Sequence, residues 1–211
     1  MSKKQSPQTD TTVEIKAPNI RVAQFNIVGI TPYVQLKFSE KAKNTIMEKM
    51  TGKKAKGSRA RDARDFDDDF AQAQHISIEG WNGIPAASIR NGMISACRLV
   101  DYKMTLAKLS LFVNGDGFDN SEGVPLIKIN GTPEKLISHV RNATGVVDLR
   151  VRAKFFPWSA TVNISYDADQ FGESAIANLL MRVGAQVGIG EGRPDGKTSY
   201  GQGFGLFRIT D

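Results

Sequence analysis

Apolar and polar residues nearly alternate from Ile20 to Val28, and Gly29 ends the run. This period of two is the pattern of a half-buried strand. A turn at Thr31-Pro32 leads into a second short alternating segment, Tyr33–Phe38. The chain therefore begins its folded part with two consecutive strands.

Helical spacing of apolar residues predicts three helices. The first begins at Glu40, where Ser39 can act as its cap, and the second follows Pro85, because proline is preorganised for a first helical position. The third spans Phe171–Val187. Their apolar stripes are Ala42, Ile46, Met47 and Met50; Ile89, Met93, Ala96, Cys97 and Val100; and Ile176, Leu179, Leu180 and Val183.

The second half of the chain reads mainly as strands. The clearest feature is a hairpin around Pro157, and a short segment from Thr132 to Val140 has the composition of a helix. The predicted strands are Leu106–Val113, Val124–Ile129, the hairpin pair Val146–Phe155 and Ser159–Tyr166, and Gly203–Ile209.

This order of elements predicts an α+β fold: an RRM/ferredoxin-like antiparallel sheet with two main helices and a basic loop insertion. Residues 1–17 are polar and are expected to be a disordered tail. Residues 18–211 then form one domain, interrupted by an insertion at about 51–74 in which apolar periodicity is lost.

Positive charge is concentrated in one stretch. The chain of 211 residues carries a formal charge of +6, yet Lys41 to Arg64 alone holds nine basic residues against two acidic ones. The rest of the chain is close to neutral. Such a local excess indicates a polyanionic partner, whereas a solvated linker is the alternative.

The composition also restricts the class of protein. No apolar run is long enough to cross a bilayer, and the start of the chain, MSKKQSPQTDTT, lacks the apolar segment of a secretion signal. The lone cysteine, Cys97, excludes an internal disulfide and a multi-cysteine zinc site. A cytoplasmic protein without cofactor or membrane partner is expected. His75 and His139 stand alone in their segments, so no catalytic residue is assigned and an enzyme is disfavoured.

Glycine is unusually dense near the end of the chain. Eight of the 20 glycines lie between Gly184 and Gly205, in a segment that also carries Arg193 and Lys197. Backbone N–H groups in such loops can hold phosphate. A mobile surface loop explains the same composition equally well.

A row of bases marks one predicted strand. Arg150, Arg152 and Lys154 alternate with Leu149, Val151 and Ala153. One face of this strand is therefore cationic and the other apolar. The cationic face fits a phosphate backbone, although exposed strand positions often carry charge without a ligand.

Three segments resemble one family. Gly83-Ile84-Pro85-Ala86-Ala87-Ser88-Ile89-Arg90 is similar to the helix start of the RAMP superfamily, which includes the CRISPR backbone subunits. Ser199-Tyr200-Gly201-Gln202-Gly203-Phe204-Gly205 resembles its glycine-rich signature, and Ile27-Val28-Gly29-Ile30-Thr31-Pro32 its first strand and turn. Ala86-Ala87, Asn91 and Gln202 depart from the family pattern. The resemblance implies an RRM-like core that binds single-stranded nucleic acid and polymerises along it, in a CRISPR subunit or in a stand-alone or phage-encoded member with a role in antiviral defence.

The sequence thus predicts a protein that binds the backbone of a single strand, with RNA favoured over DNA. Trp81 and Phe204 are candidate stacking surfaces, although such residues are more often part of the core. Partners are the strand, further copies in an oligomer or filament, and other ribonucleoprotein subunits. The candidate binding residues are Lys53, Lys54, Lys56, Arg59, Arg61, Ser88, Arg90, Arg150, Arg152, Arg193, Lys197, Gly201 and Gly203.

Two other classes stay open. Asp65, Asp67, Asp68 and Asp69 lie next to the basic stretch and suggest a magnesium-dependent nuclease; a solvated acidic run is the simpler interpretation, so no metal site is assigned. The presence of both signs of charge also suits a structural protein that assembles head to tail without nucleic acid.

Overall fold

The computed structural model describes residues 14–52, 64–141, 145, 147–196 and 201–210. The strands in this part of the chain are β1 (Ile20–Gly29), β2 (Tyr33–Gln35), β3 (Gly83–Pro85), β4 (Leu111–Asn114), β5 (Gly117–Phe118), β6 (Pro125–Asn130), β7 (Pro133–Arg141), β8 (Val147–Phe155), β9 (Ser159–Asp167) and β10 (Phe207–Thr210). The helices are α1 (Glu40–Met50), α2 (Phe66–Gln72), α3 (Ala86–Ala96), α4 (Met104–Ser110) and α5 (Glu173–Arg182). A 3-10 turn, Cys97–Val100, extends α3, and a π-turn, Val183–Val187, extends α5.

The strands form two antiparallel sheets. The larger has the order β10-β1-β9-β6-β3, with β4 paired to β9 and β5 paired to β6. The smaller has the order β2-β8-β7. Every strand pair in the described chain is antiparallel. The predicted α+β class with an antiparallel sheet is therefore confirmed.

One hydrophobic core lies between the larger sheet and the helices α3 and α5. Strand β9 places every second residue inward, from Ala160 to Tyr166, and β1 contributes Ala23 and Ile27. From the helices come the predicted stripes: Ile89, Met93, Ala96 and Cys97 of the α3 segment, and Ile176, Leu179, Leu180 and Val183 of the α5 segment, are all buried. Burial of each Ile, Leu, Val or Met among them stabilises the fold by about 1.5–3 kcal/mol, so these two helices fix the sheet's inner face.

The predicted hairpin of β8 and β9 is wrong. β9 pairs over nine residues with β1, and also with β4 and β6, while β8 pairs over nine residues with β7 and over three with β2. The cause lies in the turn between them. Trp158 is buried, and its Nε1 donates to Thr31 O at 2.8 Å. A Cβ at Gly29 would lie 2.1 Å from that nitrogen, so the glycine that ends β1 makes room for the indole as the chain changes sheets.

Two other element predictions need correction. Residues 132–140, expected to be helical, form strand β7, because its pairing with β8 satisfies the backbone along the whole segment. The first half of the expected strand Leu106–Val113 is helix α4, and only Leu111 onward is extended. The last strand begins at Phe207 rather than at Gly203.

The region between β2 and β3 is more ordered than predicted. Within the expected insertion, Phe66–Gln72 form α2, and residues 53–63 lie outside the described part of the chain. Helix α1 begins at Glu40 as predicted, but Ile46, Met47 and Met50 of its expected apolar stripe are exposed. In the expected tail, Lys16 Nζ pairs with Asp169 at 2.9 Å, and residues 1–13 are outside the described chain.

The glycine-dense segment folds against β2 and the turn before it. Gly205 N donates to Pro32 O at 2.8 Å, and Glu191 N donates to Val34 O at the same distance. Ile189 N donates to Gly205 O at 3.1 Å, which closes the segment on itself. A Cβ on Gly205 would lie 1.8 Å from Ile189 O. Part of the glycine density therefore serves close backbone packing.

We expect Gly205→Ala to lower the free energy of unfolding by about 3 kcal/mol or more, because the new methyl group overlaps a carbonyl oxygen. Gly203→Ala is the matched control: both glycines have positive φ, 71° and 74°, but a Cβ at Gly203 meets nothing within 4 Å. Its expected cost is the left-handed conformation alone, about 1–2 kcal/mol. Urea unfolding measures both, and equal losses in the two variants would contradict this packing.

Candidate functional site

A cavity of about 420 Å³ opens where β2, the start of α3 and the glycine-dense segment meet. Its lining includes Gln35 from β2, Ser88 from α3, and Gly190 and Arg193 from the segment after the π-turn. Its size is in the range of ligand-binding pockets. The cavity brings together two regions that lie about a hundred positions apart in the sequence, Ser88 and Arg193.

The start of α3 presents free backbone donors at this cavity. Pro85 occupies the cap position and makes no side-chain cap bond, and the first turn contains no acidic residue. Ala87 and Ser88 of that turn line the cavity. The first N–H groups of a helix have no partner within the helix and carry its positive dipole end, which favours an anion.

Arginine and carboxylate side chains share the rim. Asp195 is held by Arg98 through Nη2 at 2.7 and 2.8 Å, and Glu191 pairs with Arg152. Arg193 Nη1 donates to Gly190 O at 2.9 Å. Within the described chain Arg193 has no carboxylate partner, so its charge is the uncompensated one at the cavity.

Two cavity-lining residues each have one buried side-chain atom without a hydrogen-bond partner in the described chain: Gln35 Nε2 and Glu191 Oε2. Gln35 is 3% exposed. Leaving a buried donor or acceptor unsatisfied costs about 1–3 kcal/mol.

His75 also lines the cavity and belongs to a buried charge cluster. Its Nδ1 lies 3.0 Å from Asp119 Oδ2, and Lys37 Nζ lies 2.7 Å from Asp119 Oδ1. Burial opposes ionisation of Asp119, but hydrogen bonds from Lys37, from the Glu122 and Ser121 backbone and from His75 together lower its pKa. Burial lowers the pKa of His75 and outweighs the opposing effect of Asp119. The cluster thus holds a neutral imidazole against an ionised carboxylate.

A second cavity, of about 370 Å³, adjoins the first at Leu36. Arg64 and Arg150 line it, together with Asp69. Arg64 Nε is paired with Asp69 at 2.5 Å, and its Nη1 reaches Asp148 at 3.4 Å. The two cavities share Leu36 in their linings, with Arg193 lining the first and Arg64 the second.

The remaining candidate residues have other surroundings. Arg90 donates to the carbonyls of Leu111 and Lys108 and stacks on Phe112, so it fastens α4 and β4 to α3. The cationic row on β8 is paired throughout: Arg150 with Asp148, Arg152 with Glu191, and Lys154 with Glu134. Arg152 is 9% exposed and also donates to Ser138 Oγ at 2.5 Å, which places it in the protein interior.

At the other end of the chain, Gly201 is exposed and Gly203 half-buried, with Gly203 O accepting from Thr31 Oγ1 at 2.8 Å. Both have open space where a side chain would be. Lys53, Lys54, Lys56, Arg59, Arg61 and Lys197 lie outside the described residues.

The two candidate stacking residues pack against the protein. Trp81 lies over Gly117 and Gly83, and its Nε1 donates to Glu79 at 2.8 Å. Phe204 lies against Gly192. Neither lines the first cavity.

The acidic run has structural partners. Asp65 caps α2 by accepting from the N–H groups of Asp67 and Asp68, and these bonds lower the pKa of its carboxyl group. Asp67 pairs with Lys135, and Asp69 with Arg64. In the described chain, no three His, Cys, Asp or Glu side chains converge to hold a metal ion. The run is explained by helix capping and ion pairing.

Sequence reasoning missed Gln35, His75, Asp119 and Glu191 as members of one site. Gln35 is one polar residue in an alternating strand, and Asp119 lies 44 positions from His75. A glutamine on the inward-facing end of a short strand gives no signal until its neighbours are known. Glu191 lies between two glycines, and the glycine density was the only sequence feature that pointed to its segment.

No protein-family model matches the chain, and a search of curated proteins finds no similar sequence. No helix among the described residues is long and apolar enough to cross a membrane. The resemblance to the RAMP superfamily thus rests on the three sequence segments.

We expect the free energy of unfolding to fall as pH drops below about 6.5, the ordinary pKa of histidine. Because the folded-state pKa of His75 is lowered, the unfolded chain binds this proton first, and acid then favours unfolding. The lowered pKa of Asp119 further reduces the free energy of unfolding at pH below about 4.

Urea unfolding of His75→Gln tests this assignment. The free energy of unfolding of this variant should depend less on pH between about pH 6.5 and 5.5. His139→Gln, at an exposed ring on β7, is the control. An unchanged slope in His75→Gln would refute this assignment.

Proposed function

We propose that this protein binds single-stranded nucleic acid, RNA in preference to DNA, through the phosphate backbone. The observation that carries the proposal is the cavity shared by Ser88, Gly190 and Arg193. Sequence patterns alone selected the helix start and the glycine-dense segment as phosphate contacts, and the two line one cavity. A mobile loop without function would not explain why the start of α3 and the glycine-dense segment line the same cavity.

The chemistry of the cavity suits a phosphate group. An uncapped helix start supplies backbone donors without an acidic neighbour, and Arg193 supplies a charge that no carboxylate in the described chain compensates. Backbone donors together with one cation are a common phosphate site. Because phosphates occur in every nucleotide, such a site binds without sequence preference.

The second cavity extends the path of the strand. The basic stretch of the sequence returns to the described chain at Arg64, which lines this cavity beside Arg150. The five cations from Lys53 to Arg61 precede Arg64 directly in the sequence. We infer that the strand runs from Arg193 past Leu36 to Arg64, where the basic stretch adds phosphate contacts.

The strand order supports an RRM/ferredoxin-like core. The order β10-β1-β9-β6, with α3 between β1 and β6 in sequence and α5 between β9 and β10, is compatible with a split βαβ fold. This core and the three resembling segments together favour membership of the RAMP superfamily. The insertion between β1 and α3 then comprises α1, the basic stretch and α2.

We further propose that copies assemble along the strand as an oligomer or filament, alone or with other ribonucleoprotein subunits. Helix α1 exposes Ile46, Met47 and Met50, which gives a neighbouring subunit an apolar surface to cover. A magnesium-dependent nuclease is the weaker alternative, because the acidic run is engaged in capping and ion pairs. An assembly protein without nucleic acid would leave the uncompensated charge of Arg193 unused.

The salt dependence of binding tests the proposal. For a labelled oligouridine of about ten nucleotides, log K should fall linearly with log salt, by about 0.7 for each phosphate that the protein neutralises. We expect Arg193→Gln to reduce that slope by about 0.7. Joint replacement of Lys53, Lys54, Lys56, Arg59 and Arg61 by glutamine should reduce it by about 0.7 for each phosphate that these cations neutralise in the wild-type complex. Fluorescence anisotropy across about 50–200 mM salt measures the slope.

Arg21→Gln serves as the control, because Arg21 is exposed at the far end of β1 and lines none of the described cavities. It removes the same charge and should leave the slope unchanged. Binding that is absent, or insensitive to salt, would refute the proposal.

A further inference from the structure

One aromatic ring lies exposed between two cavities. Phe38, which follows β2 closely, is 53% exposed and lines both the second cavity and a third one of about 190 Å³. Within the described chain, no other aromatic ring and no cationic group is stacked on it. A flat apolar surface is therefore open to solvent at a concave part of the molecule, where ligands commonly bind.

The residue before Phe38 fixes this orientation. Lys37 N donates to Ala73 O at 3.0 Å, and Lys37 Nζ pairs with Asp119 at 2.7 Å, with both side chains of the pair almost fully buried. Removing either partner of such a pair is costly. Successive side chains of an extended segment point to opposite sides. With Lys37 held inward, Leu36 and Phe38 point outward, and both are exposed.

Two arginines line the second cavity together with Phe38. They are Arg64 and Arg150, and the carboxylate in the same lining is Asp69. Arg64 pairs with Asp69, and Arg150 pairs with Asp148 at 3.6 Å; the side chains of both pairs are partly exposed. Ion pairs this exposed contribute little to stability, so phosphate oxygens can replace the carboxylates as partners of the guanidinium groups.

The other exposed phenylalanines lack this setting. Phe112, Phe118 and Phe156 are exposed as well, but none of them lines any of the three cavities. Phe112 also has the guanidinium group of Arg90 over its ring. Among these four residues, Phe38 alone combines an open ring face with neighbouring cations in a cavity.

We propose that Phe38 is a stacking surface for an unpaired base, and that Arg64 and Arg150 hold the phosphates beside that base. Aromatic side chains in a basic groove are the common means of holding a single strand without reading its sequence. Every base has a flat face, so the contact adds affinity whatever the base is.

This inference rests on the proposed function and adds a reason for strand selection. Phosphates are present in single and double strands alike, so backbone contacts alone do not distinguish them. Inside a duplex, both faces of a base are covered by the adjacent base pairs. A base that leaves the stack exposes a face to Phe38, and the protein therefore prefers a single strand.

The test compares two probes: oligouridine of about ten nucleotides and an oligomer of equal length made of abasic units, which keeps the phosphates. Phe38→Leu keeps an apolar side chain and removes the aromatic face. We expect it to weaken oligouridine binding about tenfold and to leave binding of the abasic oligomer unchanged. Because Phe38 carries no charge, the slope of log K against log salt should keep its wild-type value.

Phe118→Leu is the matched control. Phe118 is 55% exposed, close to the value for Phe38, and lines none of the three cavities. The same substitution at this position should change neither affinity. A loss of oligouridine binding as large as that of Phe38→Leu would contradict a specific contact at Phe38.

The other outcomes separate this inference from the proposed function. An equal loss for both probes in Phe38→Leu would assign Phe38 to the fold. No loss for either probe, with wild-type binding intact, would leave the ring to an interface with another protein. Both results overturn the stacking contact and leave the proposed function standing. If the wild-type protein binds neither probe, the proposed function fails as well.

A second variant reports on stacking directly. Phe38→Trp keeps an aromatic face at this position, and a base stacked on an indole ring quenches its fluorescence. Saturating oligouridine should lower the emission of Phe38→Trp by more than that of the wild-type protein, which contains Trp81 and Trp158. The abasic oligomer should cause no such difference. Equal changes in the variant and the wild-type protein would overturn the proposal.

Discussion

The site depends on one close approach of backbone to backbone. The segment after the π-turn docks on β2 and the preceding turn through the bonds of Glu191 N to Val34 O and of Gly205 N to Pro32 O. A side chain at Gly190 would hold the two segments apart, because a Cβ there would lie 2.4 Å from Val34 O. Docking brings Arg193 to the start of α3 and Glu191 beside Gln35. Without this docking, the cavity would not form and its charged residues would not lie together.

Because of this backbone approach, the glycine-dense segment both packs against the protein and lines the cavity. Some of its glycines are required by packing, and others, such as Gly201 and Gly203, have open space around them. Packing fixes the segment at its ends, so a site built there is held by the core and not by a free loop. Arg152 contributes from the smaller sheet, since its buried pairing with Glu191 ties β8 to this segment. Replacing one partner of such a pair leaves a buried charge and is costly.

The parts of the fold that follow from local pattern were predictable. β1 has the bounds that alternation gives, and the stripes of α3 and α5 are buried except Val100, because one periodicity and one core determine them. The partner of a strand is not local information. β8 and β9 look like a hairpin, since sequential strands usually pair, but burial of Trp158 sends them to different sheets. Segment 132–140 is a strand for a similar reason: its partner β8 supplies hydrogen bonds that the composition of the segment does not suggest.

The site could likewise be predicted only in part. Ser88 and Arg193 lie in segments that the sequence marked as candidate binding regions. Gln35 and Glu191 have no such sequence signal, and they are recognised as part of the site only because the fold brings them to the same cavity.

The most direct test of the account is to locate the strand on the protein. Oligouridine carrying 4-thiouridine, photocrosslinked and mapped by mass spectrometry, should attach to the peptides that contain Ser88 and Gly190 to Arg193. The contrasting surface is the outer face of the larger sheet, where Gln24 and Asn163 are hydrogen-bonded at 3.0 Å and an RRM-like protein would offer its open sheet. Crosslinks confined to that face would contradict a strand held between the start of α3 and the glycine-dense segment.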